Sequence, residues 1–385
     1  MERDKSISNN KIMVGNISFL LSILIITIGC WNEYTWYEKM APLGTLISFV
    51  FLAITCFCYT DIRKAVKSPE VLAAVVCCII AGINLFAIGS NKGAILTVCD
   101  LVLVIYLFDK LCIPKKILYP LTAYLAFYFF YWTIDVKGYF KGYNTNYGGL
   151  VLITGFVFAL TGLFLIQETL RNKGKIIYAR LMYIPILFML AWGYNIIAWY
   201  RARCALLGLA VFAVLIFVPK KVWKNKVFYI LLTASMTIGA ILVSIAYVLL
   251  GNLSDTFTIQ IFYKDIISGR EAIWRELWGA FLQHPITGIG SSYVMQLEWM
   301  EGMFEVHNGL LDILFVHGTP VFLIVIVLLF YKLKGLNRFA VLTDSQKCAV
   351  AGVFAILAAS FMENFFIVPP FLLCFLALAS LIQNR

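Results

Sequence analysis

The chain has 385 residues, of which 62% are hydrophobic and 13% charged, with a formal net charge of +11 and a mean hydropathy of +0.89. Soluble domains are about half apolar and about a quarter charged, so this composition excludes an ordinary water-soluble enzyme. The excess of positive charge is spread over short segments between apolar runs, which is the pattern of membrane orientation and of attraction to anionic lipid, with no nucleic-acid partner.

In chain order, apolar runs suited to membrane helices cover residues 12–31, 41–60, 71–89, 93–112, 117–134, 147–167, 178–199, 204–218, 227–250, 306–331, 348–362 and 365–382. Most approach the roughly 20 residues that cross a hydrocarbon core as a helix. They lack the period-2 alternation of a barrel, and open sheets cannot exist in lipid. The expected fold is therefore an all-α, polytopic integral membrane helix bundle of about 12 transmembrane helices, with residues 1–385 as a single membrane domain and no internal repeat. No small-residue cleavage site follows the first run, Ile12 to Trp31, so it reads as a membrane helix and not as a removed signal peptide. Both termini then fall on one side. With that side cytoplasmic, 22 of the 31 Lys and Arg residues lie on inside segments and 9 on outside ones, in agreement with the positive-inside rule.

The ten cysteines all lie in or at the ends of apolar runs, with no CxxC pair, and read as small apolar fillers. Asp100 falls inside the fourth run, where a charge costs roughly 2.5–3.5 kcal/mol on insertion scales. Such a residue is either a neutral, hydrogen-bonded structural group or a proton relay.

The outside segments carry the chemistry. Residues 137–150, KGYFKGYNTNYGGL, crowd Gly, Asn and Tyr at the mouth of a run, and serve equally as an ordinary turn or as a surface for sugar hydroxyls. In AWYRARCALLGLA, Arg201 and Arg203 sit at an outer helix mouth. They either snorkel to headgroups or meet a phosphate, whose oxygens match the guanidinium fork. One segment is long, 251–305, and long loops among short ones are where function concentrates. It contains SGREAIWRELWGAFLQHPITGIGSSY, in which Ile273, Trp274, Leu277, Trp278 and Phe281 recur at helical spacing. This predicts an amphipathic helix at the membrane surface with Trp at headgroup level, an i,i+4 pair between Glu271 and Arg275, and a stop at Pro285. Arg270 opens the helix, where free N–H groups already favour an anion.

FEVHNGLLDILFVHG, residues 304–318, holds two of the three histidines. His307 sits where the polar loop runs into an apolar helix, either as an interfacial helix-start residue or as a base; His317 lies deeper and reads as structural. There is no HExxH, DxD or paired Cys, so no metal is expected, and no P-loop or GxGxxG, so no nucleotide or other cofactor.

RCALLGLA after an outward Arg, then SGREAIW with HPITGIG, then HNGLLDILFVHG, occur in an order that resembles the O-antigen ligase and polymerase superfamily of membrane glycosyltransferases. NTNYGGL and ENFF (363–366) resemble further elements of it, so that the likeness covers residues 144–366. The resemblance implies His307 as catalytic base, Arg203 and Arg270 on a donor pyrophosphate with Arg201 as an alternative, and Asn308 in support. The family often has Ser or Thr where Ala202 stands, which leaves the choice between Arg201 and Arg203 open. Asn146 and Arg275 complete the candidate set as sugar-binding or supporting groups. The implied reaction is metal-independent, inverting transfer from a polyprenyl-pyrophosphate-linked glycan to a sugar acceptor at the outer face of a bacterial cytoplasmic membrane. Polymerisation of repeat units, for a capsule or an O-antigen, is the first reading. Ligation of the finished chain to lipid A core or another acceptor is the second. A flippase for the same lipid is the alternative of another class. A flippase and a chain-length regulator are the protein partners the first two imply.

Overall fold

The computed structural model describes residues 9–29, 34–135, 145–252, 260–261, 264–265, 269–300, 304–338, 342–364 and 366–383. It is helical almost throughout: α1 (Asn9–Gly29), α2 (Tyr34–Tyr59), α3 (Ile62–Ala65), α4 (Pro69–Ala87), α5 (Lys92–Leu107), α6 (Lys115–Asp135), α7 (Thr145–Asn172), α8 (Ile176–Leu181), α9 (Tyr183–Tyr200), α10 (Arg203–Phe217), α11 (Lys226–Gly251), α12 (Arg270–Gln283), α13 (Gly309–Lys334), α14 (Asp344–Ala359) and α15 (Pro369–Gln383). A two-stranded antiparallel pair, β1 (Gln260–Ile261) with β2 (Lys264–Asp265), lies in the long loop. Each expected apolar run contains a helix among its described residues. By length and composition, five helical stretches among the described residues can cross a membrane, and further apolar helices are shorter.

Aliphatic side chains that face outward explain why these helices belong in lipid. Ile184, Leu187 and Phe188 on α9, and Leu231, Ile238 and Leu242 on α11, are all more than half exposed, an apolar surface that water would not tolerate at this extent. The interior is built around α7, which packs against α6, α9, α10 and α14. Small residues set the spacing, as expected where helices gain little from hydrophobic association. A Cβ on Gly208 of α10 would lie 3.2 Å from the Ala355 carbonyl of α14, and one on Gly352 would meet Val157 of α7 at 2.3 Å.

Helix α13 was expected as one uninterrupted span. It is instead broken at Gly318 (φ 82°), two residues before Pro320. Pro320 has no N–H to continue the ladder, and the freed groups find partners in the loop after α12. Ile289 donates its N–H to the Phe315 carbonyl at 2.7 Å, and Thr319 donates to the Pro285 carbonyl at 2.9 Å. The Asn84 amide of α4 donates to the Thr287 and His317 carbonyls. Gly288 (φ 76°) comes so close that a Cβ would lie 2.6 Å from the Phe315 carbonyl. Non-helical backbone is thus satisfied by protein.

Helix α12 forms where the periodicity placed it and ends before Pro285, but its apolar face docks on protein rather than headgroups. Trp274 is fully buried, edge-on to Tyr247, and Trp278 donates to the Ser244 hydroxyl of α11 at 3.3 Å. The expected Glu271–Arg275 pair is not made. Glu271 turns back to accept the Gly269 N–H at 2.9 Å, where the helix dipole favours a carboxylate, and Arg275 donates to Asn252 at 2.8 Å.

Candidate functional site

The site is assembled at the N-terminal end of α13. Asn308 is its N-cap, and the Asn308 Oδ1 accepts the Leu310 and Leu311 N–H groups. Its amide donates to the Ala240 carbonyl of α11 and the Phe361 carbonyl. The Asn308 backbone N–H goes to Asn364 Oδ1 at 2.8 Å. Fully buried and with every bond made inside the protein, Asn308 ties α13 to α11 and to the turn after α14. A cap of this kind stabilises by about 1 kcal/mol.

That anchoring holds His307 in a left-handed conformation, φ 53°. The arrangement costs a non-glycine residue on the order of 1–3 kcal/mol and is characteristic of functional sites. The other non-glycine residue with positive φ among those described is Arg201 (φ 54°), also a candidate site residue. From the other side, Trp274 of α12 donates to the Val306 carbonyl at 2.7 Å, fixing the residue before His307.

Glu363 joins the parts. One carboxylate oxygen lies 3.1 Å from His307 Nδ1, and the other accepts from the Arg270 guanidinium at 2.6 Å. Glu305 approaches the same His307 nitrogen at 3.3 Å, but its side chain is 45% exposed against 5% for Glu363, so Glu363 is the rigid partner. The turn that carries Glu363 is closed by the Ser360 hydroxyl, which accepts the Phe366 N–H at 2.7 Å, and by the Gly309 N–H donating to the Ser360 carbonyl. Burial works against protonation of His307, but the Glu363 and Glu305 carboxylates outweigh it and raise the imidazole pKa above its ordinary value, with Arg270 opposing them. A neutral His307 that donates its Nδ1–H in a hydrogen bond to Glu363 keeps the Nε2 lone pair for an incoming proton.

Arg270 is buried, and its Nε has no hydrogen-bond partner. A charged donor left unsatisfied in the interior is costly. Arg203 is half-buried at the first position of α10. The next residue, Cys204, is fully buried within electrostatic reach of both Glu363 and Arg270, so the α10 N-terminus adjoins the cluster. Arg201 is exposed and caps α9. Asn146 lies in the first turn of α7, one turn from Gly149, whose Cβ would overlap Ala202 at 2.3 Å. Residues 137–144 and Phe365 of the ENFF element lie outside the described residues. Arg275, bonded to Asn252 at the surface, is not among the groups the fold gathers around His307.

Sequence spacing gave no metal set, yet the fold brings ligand atoms of Glu305, His307 and Glu363 within 4.8 Å of one another, an arrangement able to hold a cation. Arg270 already supplies positive charge to Glu363 there. The residue missed by spacing is Glu363, and its only signal was the resemblance of ENFF.

Residues 186–326 match the model of a family described as O-antigen ligase. The likeness covers 141 of the 385 residues. No curated protein and no solved structure matches the chain.

Proposed function

We propose that the protein is a polysaccharide polymerase that joins polyprenyl-pyrophosphate-linked repeat units on the outer face of a bacterial cytoplasmic membrane. The observation that carries the chemistry is the contact of one buried carboxylate, Glu363, with both His307 and Arg270. His307 Nε2 removes the proton from an acceptor hydroxyl as that oxygen attacks the anomeric carbon. The bond from that carbon to the pyrophosphate breaks, and its electron pair goes to the departing phosphate oxygen. Arg270, with Arg203 or Arg201, stabilises the charge that develops there, as fixed donors in a partly dry site do without reorganising. Attack opposite the leaving group inverts the anomeric centre. The acceptor proton rests on His307, and Glu363 offsets the resulting imidazolium charge. The arginines make a metal unnecessary in this scheme, so activity survives EDTA. Both termini are placed in the cytoplasm, with a flippase supplying the donor and a chain-length regulator as a further partner.

The description of the matched family favours a second reading, a ligase that passes the finished chain to another acceptor. Both reactions break the same bond, so His307 and the arginines serve either. A deletion strain separates them when carrier-linked and acceptor-linked glycans are resolved by length. Loss of a polymerase leaves single repeat units. Long chains retained on the carrier would replace the polymerase with the ligase, and units trapped on the cytoplasmic leaflet would indicate a flippase.

A further inference from the structure

A cleft opens on the face of α12 turned away from the core. It has a volume of about 550 Å³ and is lined by Glu276, Gly279, Gln283 and His284 of α12, with Tyr293 from the following loop and Ile88 from the end of α4. The size falls within the roughly 300–1,000 Å³ of small-molecule sites. The α12 positions follow from helix geometry. Residues 276, 279 or 280, and 283 share one face, while Ile273, Trp274, Leu277 and Phe281 are buried on the other.

The lining is mixed, with Ile88, Gly279, Ala280, Gly288 and Ile289 beside the polar groups. Tyr293 donates its hydroxyl to Glu276 Oε1 at 3.1 Å, and the Gln296 N–H donates to the same oxygen at 2.7 Å. Both bonds fall on Oε1, so Oε2 remains as an acceptor for a ligand. Gln283 and His284, both exposed, add groups that donate and accept, and the Tyr293 ring adds an apolar surface. Sugar hydroxyls need paired donors and acceptors beside an apolar face. A carboxylate in the wall disfavours a phosphate headgroup or a pyrophosphate, and the cleft has no Lys or Arg in its lining to offset it.

The cleft is also placed along a line to the reacting centre. Arg270 begins α12, and at 1.5 Å rise per residue Glu276 and His284 lie roughly 9 Å and roughly 20 Å along the helix from it. Tyr293 packs edge-on against Phe304, three residues before His307.

We propose that this cleft is a glycan-holding subsite, which binds a neutral oligosaccharide portion of the chain a few sugars away from the bond being made. It deepens the polymerase reading and rests on it. A bound chain that stays on the enzyme between transfers is extended further before release, so the cleft governs product length rather than the chemical step.

Gly279 provides the test. It is exposed, and a Cβ there meets nothing within 4 Å, so Gly279→Trp fills the cleft without disturbing the buried face. Gln283→Trp is the second blocking variant, and Leu282→Trp, on an exposed position outside the lining, is the control. Each is expressed in the deletion strain beside His307→Ala, with membrane protein levels checked and glycans resolved by length. The expected result is a severalfold fall in modal chain length for both blocking variants and no change for Leu282→Trp. Saturation-transfer NMR with oligosaccharide released by mild acid from the same strain should show binding to wild type and to His307→Ala, and loss of binding in Gly279→Trp. Unchanged length in the blocked variants at normal protein level would overturn the subsite, and His307→Ala, by abolishing product in that same experiment, would leave the polymerase reading standing. Complete loss of product in a blocked variant would also overturn it, since the cleft would then serve the reacting sugars themselves. Polymer made by His307→Ala would instead sink the function on which the subsite rests.

Discussion

At the C-terminal end of α13, Lys332 lies 2.5 Å from Glu70 and 2.6 Å from Asp109, with Lys110 and Arg338 completing the cluster. At the N-terminal end of the same helix, His307 and Arg270 meet across Glu363. Both ends gather opposite charges from distant parts of the chain, but they differ in construction. None of the residues of the Lys332 cluster has positive φ, and the Asp109 carboxylate is met by Lys332, Lys110 and Arg338. Its charges answer one another and fasten α4 and the end of α5 to α13. The His307 end holds a strained backbone, a buried Arg270 Nε with no acceptor, and a base whose pKa is raised. Strain and unmet donors are the marks of a site built for something outside the chain, and a paired cluster on relaxed backbone is the mark of a fastening.

The sharpest way to break this contrast is His307→Ala. A general base contributes about 10²- to 10⁴-fold, so the variant should lose at least that in rate while its membrane level stays normal, and the wild type should keep its activity in EDTA. Turnover measured with purified protein and lipid-linked donor decides. Near-normal turnover of the variant, or wild-type activity restored only by a divalent ion, would remove His307 from the chemistry and give the Glu305–His307–Glu363 group to a metal.

A smaller effect is expected from Glu363→Gln, and its direction with pH is the informative part. A base works when neutral, so activity should rise with pH through the His307 pKa of the folded protein. Glu363 and Glu305 hold that pKa above its ordinary value, against burial and Arg270. Removing the Glu363 charge lowers it, so the acid limb of the pH–kcat profile moves to lower pH. Turnover should fall about tenfold to hundredfold, by analogy with the loss of groups that orient a metal-bound imidazole. A fall in turnover with an unmoved acid limb would mean that Glu363 supports the fold and does not tune the base.

Much of this arrangement was legible in the residues. Apolar runs near bilayer length announced the helices, and the period of Trp274, Leu277 and Phe281 announced α12. Three features were not legible, each for a physical reason. Glu363 lies 56 residues from His307, and no local spacing rule spans such a separation. The break in α13 was hidden because 306–331 reads as continuous apolar helix, while the donors and acceptors that stabilise Gly318 come from the loop at 285–290. The pair expected between Glu271 and Arg275 follows from a rule for helix interiors, whereas Glu271 stands in the first turn, where a free backbone N–H competes for its carboxylate.

The mildest prediction concerns the other end of α13 and tests whether the two clusters differ in kind. Lys332→Met keeps the aliphatic stem and removes the charge. Lys332 is 9% exposed at its side chain, while Glu70 and Asp109 remain about a quarter exposed, so water and the neighbouring Lys110 and Arg338 partly compensate the two carboxylates. The expected cost is about 1–3 kcal/mol of stability, the range for leaving buried polar groups without a partner, read as a lower midpoint of thermal inactivation in detergent. The turnover of the folded fraction should stay near wild type, because none of these groups touches the substrate end of the helix. A loss of turnover comparable to that of Glu363→Gln, without a change in thermal midpoint, would mean that the Lys332 cluster is coupled to the reaction through α13. The break at Gly318 would then be a joint between the two ends, and no longer only a place where loop and helix exchange hydrogen bonds.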